Sequence, residues 1–302
     1  MKPILIDGCC CGGGASRGYN EGGYEVYGID NDPKRLRDYP YPYLVMDIIE
    51  ALVRWQQGEG LTFSDGRTIY LADIAMIHCS PPCQGYSIMN NLPWIRSRTY
   101  PMLILSLREL LNGIGLPYVI ENVAGARFGA KGLVARGLQE HGMKAGWLCG
   151  GMFGLPIYRH RYFETNWFWP MPGHPKHVRT KQPESSFSPR PRGSWEQGYE
   201  ETKPGASPQA VAVRRGLTAS PPMAGHSPGN AFASYVSNGA QKEGVAVGHA
   251  AGWRVAAEAM GIDWMRRSEL TQAIPPVMTA YLARWSPPIL AQITRGASQE
   301  RE

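Results

Sequence analysis

The sequence has no cysteine pair at CxxC spacing, no apolar run long enough to cross a membrane, and no G-x-G-x-x-G fingerprint. Each absence excludes something. The six cysteines stand at 9, 10, 11, 79, 83 and 149. Three adjacent thiols form no disulfide framework and do not easily wrap one tetrahedral ion. Reduced thiols and no metal site are therefore expected. No stretch approaches the ~18 apolar residues of a membrane span. The opening MKPILIDG is too short in apolar residues for an export signal. These absences set the expectation of a cytoplasmic chain with no membrane partner.

Acidic residues are also scarce in one region. Between residues 166 and 252 there is no Asp, and nine Lys and Arg face five Glu. That region carries +4 of the chain's net +6. A basic balance favours a polyanionic partner. The same region is rich in Pro and Gly and shows no periodicity. Its aromatic residues, Trp167, Phe168, Trp169, Trp195, Phe232 and Tyr235, supply anchors that a plain linker lacks. A small loop-rich domain is expected there, between a first domain over 1–165 and closing helices over 253–302.

The first half alternates. Strands are expected at ILID (4–7), YEVYGID (24–30), YLVMDI (43–48), IAMIH (74–78) and PYVIEN (117–122). Helical patterns lie at 15–22, 48–57 and 101–115, with Gly113 and Gly115 as stop signals. Repeated strand–helix units without hairpin signals predict a parallel sheet covered on both faces. Near the end, WRVAAEAMGI and SELTQAIPPVMTAYLARW return to helical spacing, with Ser268 a candidate helix start before Thr271 and Gln272.

Ligands of such sheets bind at the carboxyl ends of the strands. Asp7, Asp30, Asp47, Cys83 and Glu121 all fall at or just past such ends. IDGCCCGGGASRGY runs from strand through a glycine-rich turn into a helix. Gly12 and Gly14 fit a dinucleotide loop, but Arg17 stands where its third glycine belongs. Asp30 can accept from a ribose diol, a feature of nicotinamide and S-adenosylmethionine sites alike. Cys83, set between Pro81–Pro82 and Gln84, is a thiol on a stiff turn after a strand. His78 reads as a satisfied strand-end histidine, and Cys79 and Cys149 as small buried hydrophobes.

Taken together, the blocks resemble the DNA cytosine-5 methyltransferases, in the compact form found in phages and bacteria. The blocks are IDGCCCGGG, YGIDND, VMDI, PPCQGYS, VIENV, YRHRYF and SELTQAIPPVMTAYLA, in the family's order between residues 4 and 283. The resemblance implies a Rossmann-like, S-adenosylmethionine-dependent α/β fold with a small loop-rich target-recognition domain. It implies Cys83 as nucleophile, Glu121 as acid, and Arg161 supported by Arg159 as the clamp on the base. It places the cofactor on Asp7, Gly12, Gly13, Gly14, Asp30, Asp47, Ile48 and Pro81. Duplex DNA is the implied partner of a monomer in a bacterial or phage-infected cell. Gln84, Ser87, Arg179, Arg190, Arg192, Arg214 and Arg215 are the candidate DNA contacts. One branch of the family acts on tRNA with the same catalytic set, and charge does not separate the two polyanions. A nicotinamide oxidoreductase fits less well, because the fingerprint fails. The sequence departs from the family at Cys9, Cys11 and Ile157, where Phe, Gly and Gln are usual.

Overall fold

A computed structural model describes residues 2–86, 100–123, 126, 144–155, 157, 159–175 and 253–299. Ten residues of the basic region, 166–175, are among them; Ser87, Arg179, Arg190, Arg192, Arg214 and Arg215 lie outside.

The centre is β1 (Ile4–Gly8), whose residues are all buried. Its run of Ile, Leu and Ile is apolar on both faces, as a strand covered on both sides must be. Parallel neighbours are β2 (Glu25–Asp30) on one side and β6 (Ile74–Cys79) on the other. β3 (Tyr43–Val45) pairs parallel outside β2, and β7 (Tyr118–Asn122) outside β6. β9 (His160–Thr165) then runs antiparallel to β7, and β8 (Lys144–Cys149) antiparallel to β9. The seven-stranded order is β3-β2-β1-β6-β7-β9-β8. The sheet is therefore mixed, not wholly parallel as expected. A separate hairpin, β4 (Leu61–Thr62) with β5 (Thr68–Ile69), also departs from the expectation. Its signal is Asp65–Gly66, with Gly66 at φ 84°, a conformation that favours glycine.

Alternation along the strands divides the core. Ile4 and Ile6 face α2 (Ile48–Gln56) and α3 (Ile104–Ile114), in a cluster with Leu52, Trp55, Leu107 and Leu111. Leu5 faces the other way, toward Ala15 and Tyr19 of α1 (Gly14–Glu21) and Met278 and Leu282 of α6 (Pro276–Trp285). α2 buries Ile48, Ala51, Leu52 and Trp55, one face at helical spacing. The Trp55 indole donates to the Ile69 carbonyl at 2.9 Å and so ties the hairpin to this layer. α4 (Trp253–Met260), α5 (Arg267–Leu270) and α7 (Pro287–Gln299) complete the described helices.

The C-terminal pattern is two helices rather than one. α5 starts after Arg266, whose backbone N–H donates to Glu269 at 3.0 Å, so Thr271 and Gln272 follow the helix. Pro276 begins α6, where its missing N–H costs nothing. Likewise α3 starts at Ile104, not 101, leaving Tyr100 and Pro101 to line a cavity. Trp167 and Trp169 are buried against the same face of the sheet as Leu5 and Val26. A buried ion pair, Arg108 to Glu164 at 2.5 and 2.6 Å, joins α3 to β9. No helix among the described residues is long and apolar enough to cross a membrane.

Candidate active site

The order of strands reverses at β1, whose helix α1 covers one face while α3, after β6, covers the other. Such a switch point opens a crevice beyond the carboxyl ends. A cavity of about 680 Å³ lies there.

The loop from β1 to α1 forms its floor. Cys9 and Cys11 take φ of 57° and 49°, and Gly13 of 86°. The left-handed region is strained for the two cysteines and open to glycine. The cysteine at 11 thus occupies a backbone position suited to the glycine usual in the resembling family. Gly12 and Gly14 line the cavity, and close packing on their other side also keeps them bare. A Cβ on Gly12 would come within 3.0 Å of Met265, and one on Gly14 within 2.6 Å of the Ile274 carbonyl. Gly18, which the sequence reading passed over, is tighter still, at 1.9 Å from the Pro276 carbonyl. These glycines let α1 and its loop pack on the C-terminal segment. Gly13 itself does not line the cavity. The Trp264 indole donates to the Gly12 carbonyl at 2.8 Å.

Three acids, Asp7, Asp30 and Asp47, line the cavity. Asp30 accepts from the Cys11 and Asp32 backbone N–H groups, both at 3.0 Å, one on each oxygen. Each oxygen keeps a second lone pair. Burial raises the Asp30 pKa, and these two bonds oppose the rise. Asp47 caps α2, accepting through Oδ1 from Ile49 at 2.8 Å and Glu50 at 3.4 Å. Asp7 is fully buried and accepts from the Ser16 hydroxyl. Its Oδ1 has no hydrogen-bond partner among the described residues. Burial, with the charges of Asp30 and Glu121 adding, pushes its pKa up to about 7 against the Ser16 bond.

The opposite side carries the proposed chemistry. Cys83 is half-buried, and burial raises its thiol pKa while Arg161 and Arg159 pull it back. The turn before it is held by Asn122, whose amide donates to the Pro81 carbonyl at 3.0 Å. Glu121, at the end of β7, pairs with Arg161 Nε at 2.9 Å. Burial raises the Glu121 pKa, with Arg161, Arg159 and Ser80 opposing. Arg159 is buried and donates to the Thr271 carbonyl at 2.7 Å. Burial and the neighbouring Arg161 lower its pKa.

Behind Glu121 runs a chain of buried polar groups. The Tyr19 hydroxyl meets His78 Nδ1 at 2.9 Å, and His78 Nε2 meets the Ser80 hydroxyl at 2.7 Å. Ser80 in turn donates to Glu121. Burial lowers the His78 pKa to about 3, so the ring stays neutral at ordinary pH. Every step is consistent if the proton sits on Nε2. The histidine is satisfied, as the sequence reading expected, and it also orients the carboxyl group's partner.

Cys83, Glu121, Arg159, Arg161, Asp7, Gly12, Gly14, Asp30, Asp47, Ile48, Pro81 and Gln84 all line the one cavity. Four residues unremarked in the sequence line it too: Arg35, Ser80, Glu269 and Met265. Arg35 donates to Cys11 Sγ and to the Gln272 side chain, both at 3.2 Å. Thr271 to Ile274, from the block SELTQAIPP, close the wall. The donor set suits a cationic, ribose-bearing cofactor: an Asp7 oxygen without a hydrogen-bond partner among the described residues, a second lone pair on each Asp30 oxygen, and apolar Met46 and Ile48 beside Asp47.

No family model and no curated protein matches the sequence. The fold does match solved structures. A DNA modification methyltransferase encoded within an E. coli prophage is similar at a TM-score of 0.52 and 16% identity, covering 97% of this chain and 99% of that one. The S. pombe Dnmt2 methyltransferase is similar at 0.50 and 15%, with the same coverage. At such identities the likeness speaks for architecture, and it spans nearly the whole of each chain. The mixed seven-stranded sheet, with its helices and its crevice at the switch point, is a Rossmann-like methyltransferase fold.

Proposed function

We propose that this chain methylates carbon 5 of cytosine in duplex DNA, with S-adenosylmethionine as donor. The observation that carries the reading is a single cavity lined by a thiol, a buried carboxyl group with its arginine, and the ribose-type acid Asp30. Each group has a task. Carbon 5 of cytosine is a weak nucleophile. Addition of the Cys83 thiolate at ring carbon 6 makes it enamine-like. Glu121, whose pKa burial raises against the pull of Arg161, is the group to exchange a proton with ring nitrogen 3 as that bond forms. Arg161 lies beside Glu121 and faces the same space, so it can meet the ring carbonyl. Arg159, tied to Thr271, links the clamp to the cofactor wall. The bound donor supplies an electrophilic methyl group on a sulfonium. Loss of the carbon-5 proton to water, return of the nitrogen 3 proton to Glu121 and expulsion of the Cys83 thiolate then complete the exchange.

The target base must leave the duplex to reach such a cavity. Gln84 lines the cavity next to Cys83. Residues 166–252 are proposed as the DNA-reading region, with 1–165 and 253–302 forming the catalytic body. The contact of α6 with α1 and β1 fits that division. Ser87 and the five arginines keep their assignment as candidate DNA contacts on the resemblance alone.

The test is methyl transfer from labelled S-adenosylmethionine to duplex DNA, single strands and tRNA side by side. Label on carbon 5 of cytosine in the duplex is the expected result. Label on tRNA alone replaces the substrate and keeps the chemistry. Label on no nucleic acid overturns the reading.

A further inference from the structure

Away from the cavity, β8 and β9 bring three ligand-type side chains together. Cys149 ends β8, His160 begins β9, and the two are register partners. His174 lies on the stretch after β9. One donor atom from each lies within 4.8 Å of the other two. The two imidazole Nε2 atoms are 3.3 Å apart. Two nitrogens on a tetrahedral ion, at metal–nitrogen bonds of about 2.0–2.1 Å, are separated by about that distance. Trp147 packs edge-on against both rings, at centroid separations of 5.2 and 4.6 Å, and limits their rotation. Burial falls from Cys149 through His160 to the exposed His174, so the cluster opens to solvent on one side.

We propose that Cys149, His160 and His174 form a zinc site, with one thiolate, two imidazoles and a fourth position open to water. A sulfur and two nitrogens gathered within 4.8 Å select zinc over oxygen-seeking cations. None of the three lines the cavity, so the ion is structural. Its place gives it a task. His160 precedes Arg161 on β9, and neighbours on a strand point to opposite faces. Fixing His160 on one face holds Arg161 toward the other. His174 ties the first residues of the basic region to the same anchor. The ligands are scattered at 149, 160 and 174, which is why no spacing motif betrays them.

A direct hydrogen bond between the two imidazoles gives the same separation, and metal binding distinguishes the two. The full chain is stripped with a chelator, loaded with zinc, and passed through gel filtration. One retained zinc per chain and a raised melting temperature are expected. Cobalt in place of zinc should give a thiolate-to-metal absorption band. His174→Ala, a change at an exposed residue that leaves the core intact, should lose the retained zinc and the rise in melting temperature. Cys149→Ser should lose the cobalt band, while Cys11→Ser keeps it. No retained zinc in the wild type, or equal retention by His174→Ala, overturns the proposal. These readouts involve no methyl transfer, so they stand or fall apart from the proposed activity.

Discussion

Replacing Asp7 by Asn should make the protein's stability less dependent on pH, in a direction opposite to most carboxylates. Asp7 is fully buried, its Oδ1 lacks a hydrogen-bond partner among the described residues and has only the neutral His78 ring at 4.0 Å, and its pKa stands at about 7 against an ordinary 3.8. Between those values the folded chain keeps a proton that the unfolded chain releases. Stability is therefore present below 3.8 and is lost as pH rises toward 7. Three pH units at about 1.4 kcal/mol each give a loss of roughly 4 kcal/mol. Asn keeps the acceptor for Ser16 and never ionises. Its own unpaired amide N–H costs about 1–3 kcal/mol, but at every pH. The pH trend is thus the quantity to read. Melting temperatures of both proteins, taken from pH 4 to pH 8, should draw apart in favour of Asp7→Asn. At about 2 °C per kcal/mol in a chain of this size, the gap should change by up to roughly 8 °C. A gap that stays constant across the range would refute the buried-charge reasoning. The variant should also bind S-adenosylmethionine less well, since a cation beside Oδ1 is what offsets the charge.

Three further substitutions test separate features. Cys11→Gly should stabilise the loop by about 1–2 kcal/mol, because φ of 49° strains a cysteine and suits glycine; an unchanged or lower denaturation midpoint would contradict this. Glu164→Ala should cost about 3–5 kcal/mol, since it leaves the Arg108 guanidinium buried and unpaired between α3 and β9; a loss under 1 kcal/mol in chemical denaturation would show that water reaches the pair. Asp30→Ala should weaken S-adenosylmethionine binding by roughly 1.5–3 kcal/mol in calorimetry. It should lower stability as well, because Cys11 and Asp32 lose their acceptor. Unchanged affinity would place the cofactor elsewhere.

The strands with continuous apolar runs were legible in the sequence. ILID, YEVYGID, IAMIH and PYVIEN became β1, β2, β6 and β7 within a residue or two. Their polar last residues, Asp7, Asp30 and Glu121, reached the cavity because strand ends of a parallel core share one edge. The hairpin was missed because each strand is only two residues long, although Asp65–Gly66 marked its turn. β8 and β9 were missed because KAGWLC and HRYFET alternate poorly and lie on either side of GGMFGLPIYR. Without β9 the antiparallel edge, the Arg108–Glu164 pair and the histidine cluster were all invisible. The glycines at 12 and 14 were legible as a loop lining the site, but their packing partners were not. What excludes a side chain there is Met265 and Ile274, about 250 residues away in sequence. The chain Tyr19–His78–Ser80–Glu121 crosses three elements and has no linear signature.

The central claim is covalent catalysis by Cys83, and one experiment addresses it directly. The protein and S-adenosylmethionine are incubated with a random-sequence duplex library in which 5-fluorocytosine replaces cytosine. Fluorine does not leave carbon 5 as a proton does, so the adduct formed at carbon 6 cannot eliminate. The account predicts a protein–DNA complex that survives detergent and yields, on digestion, a nucleotide attached to the peptide containing Cys83. Methyl transfer to ordinary duplex DNA with no trapped complex, or a complex mapping to another cysteine, would contradict it.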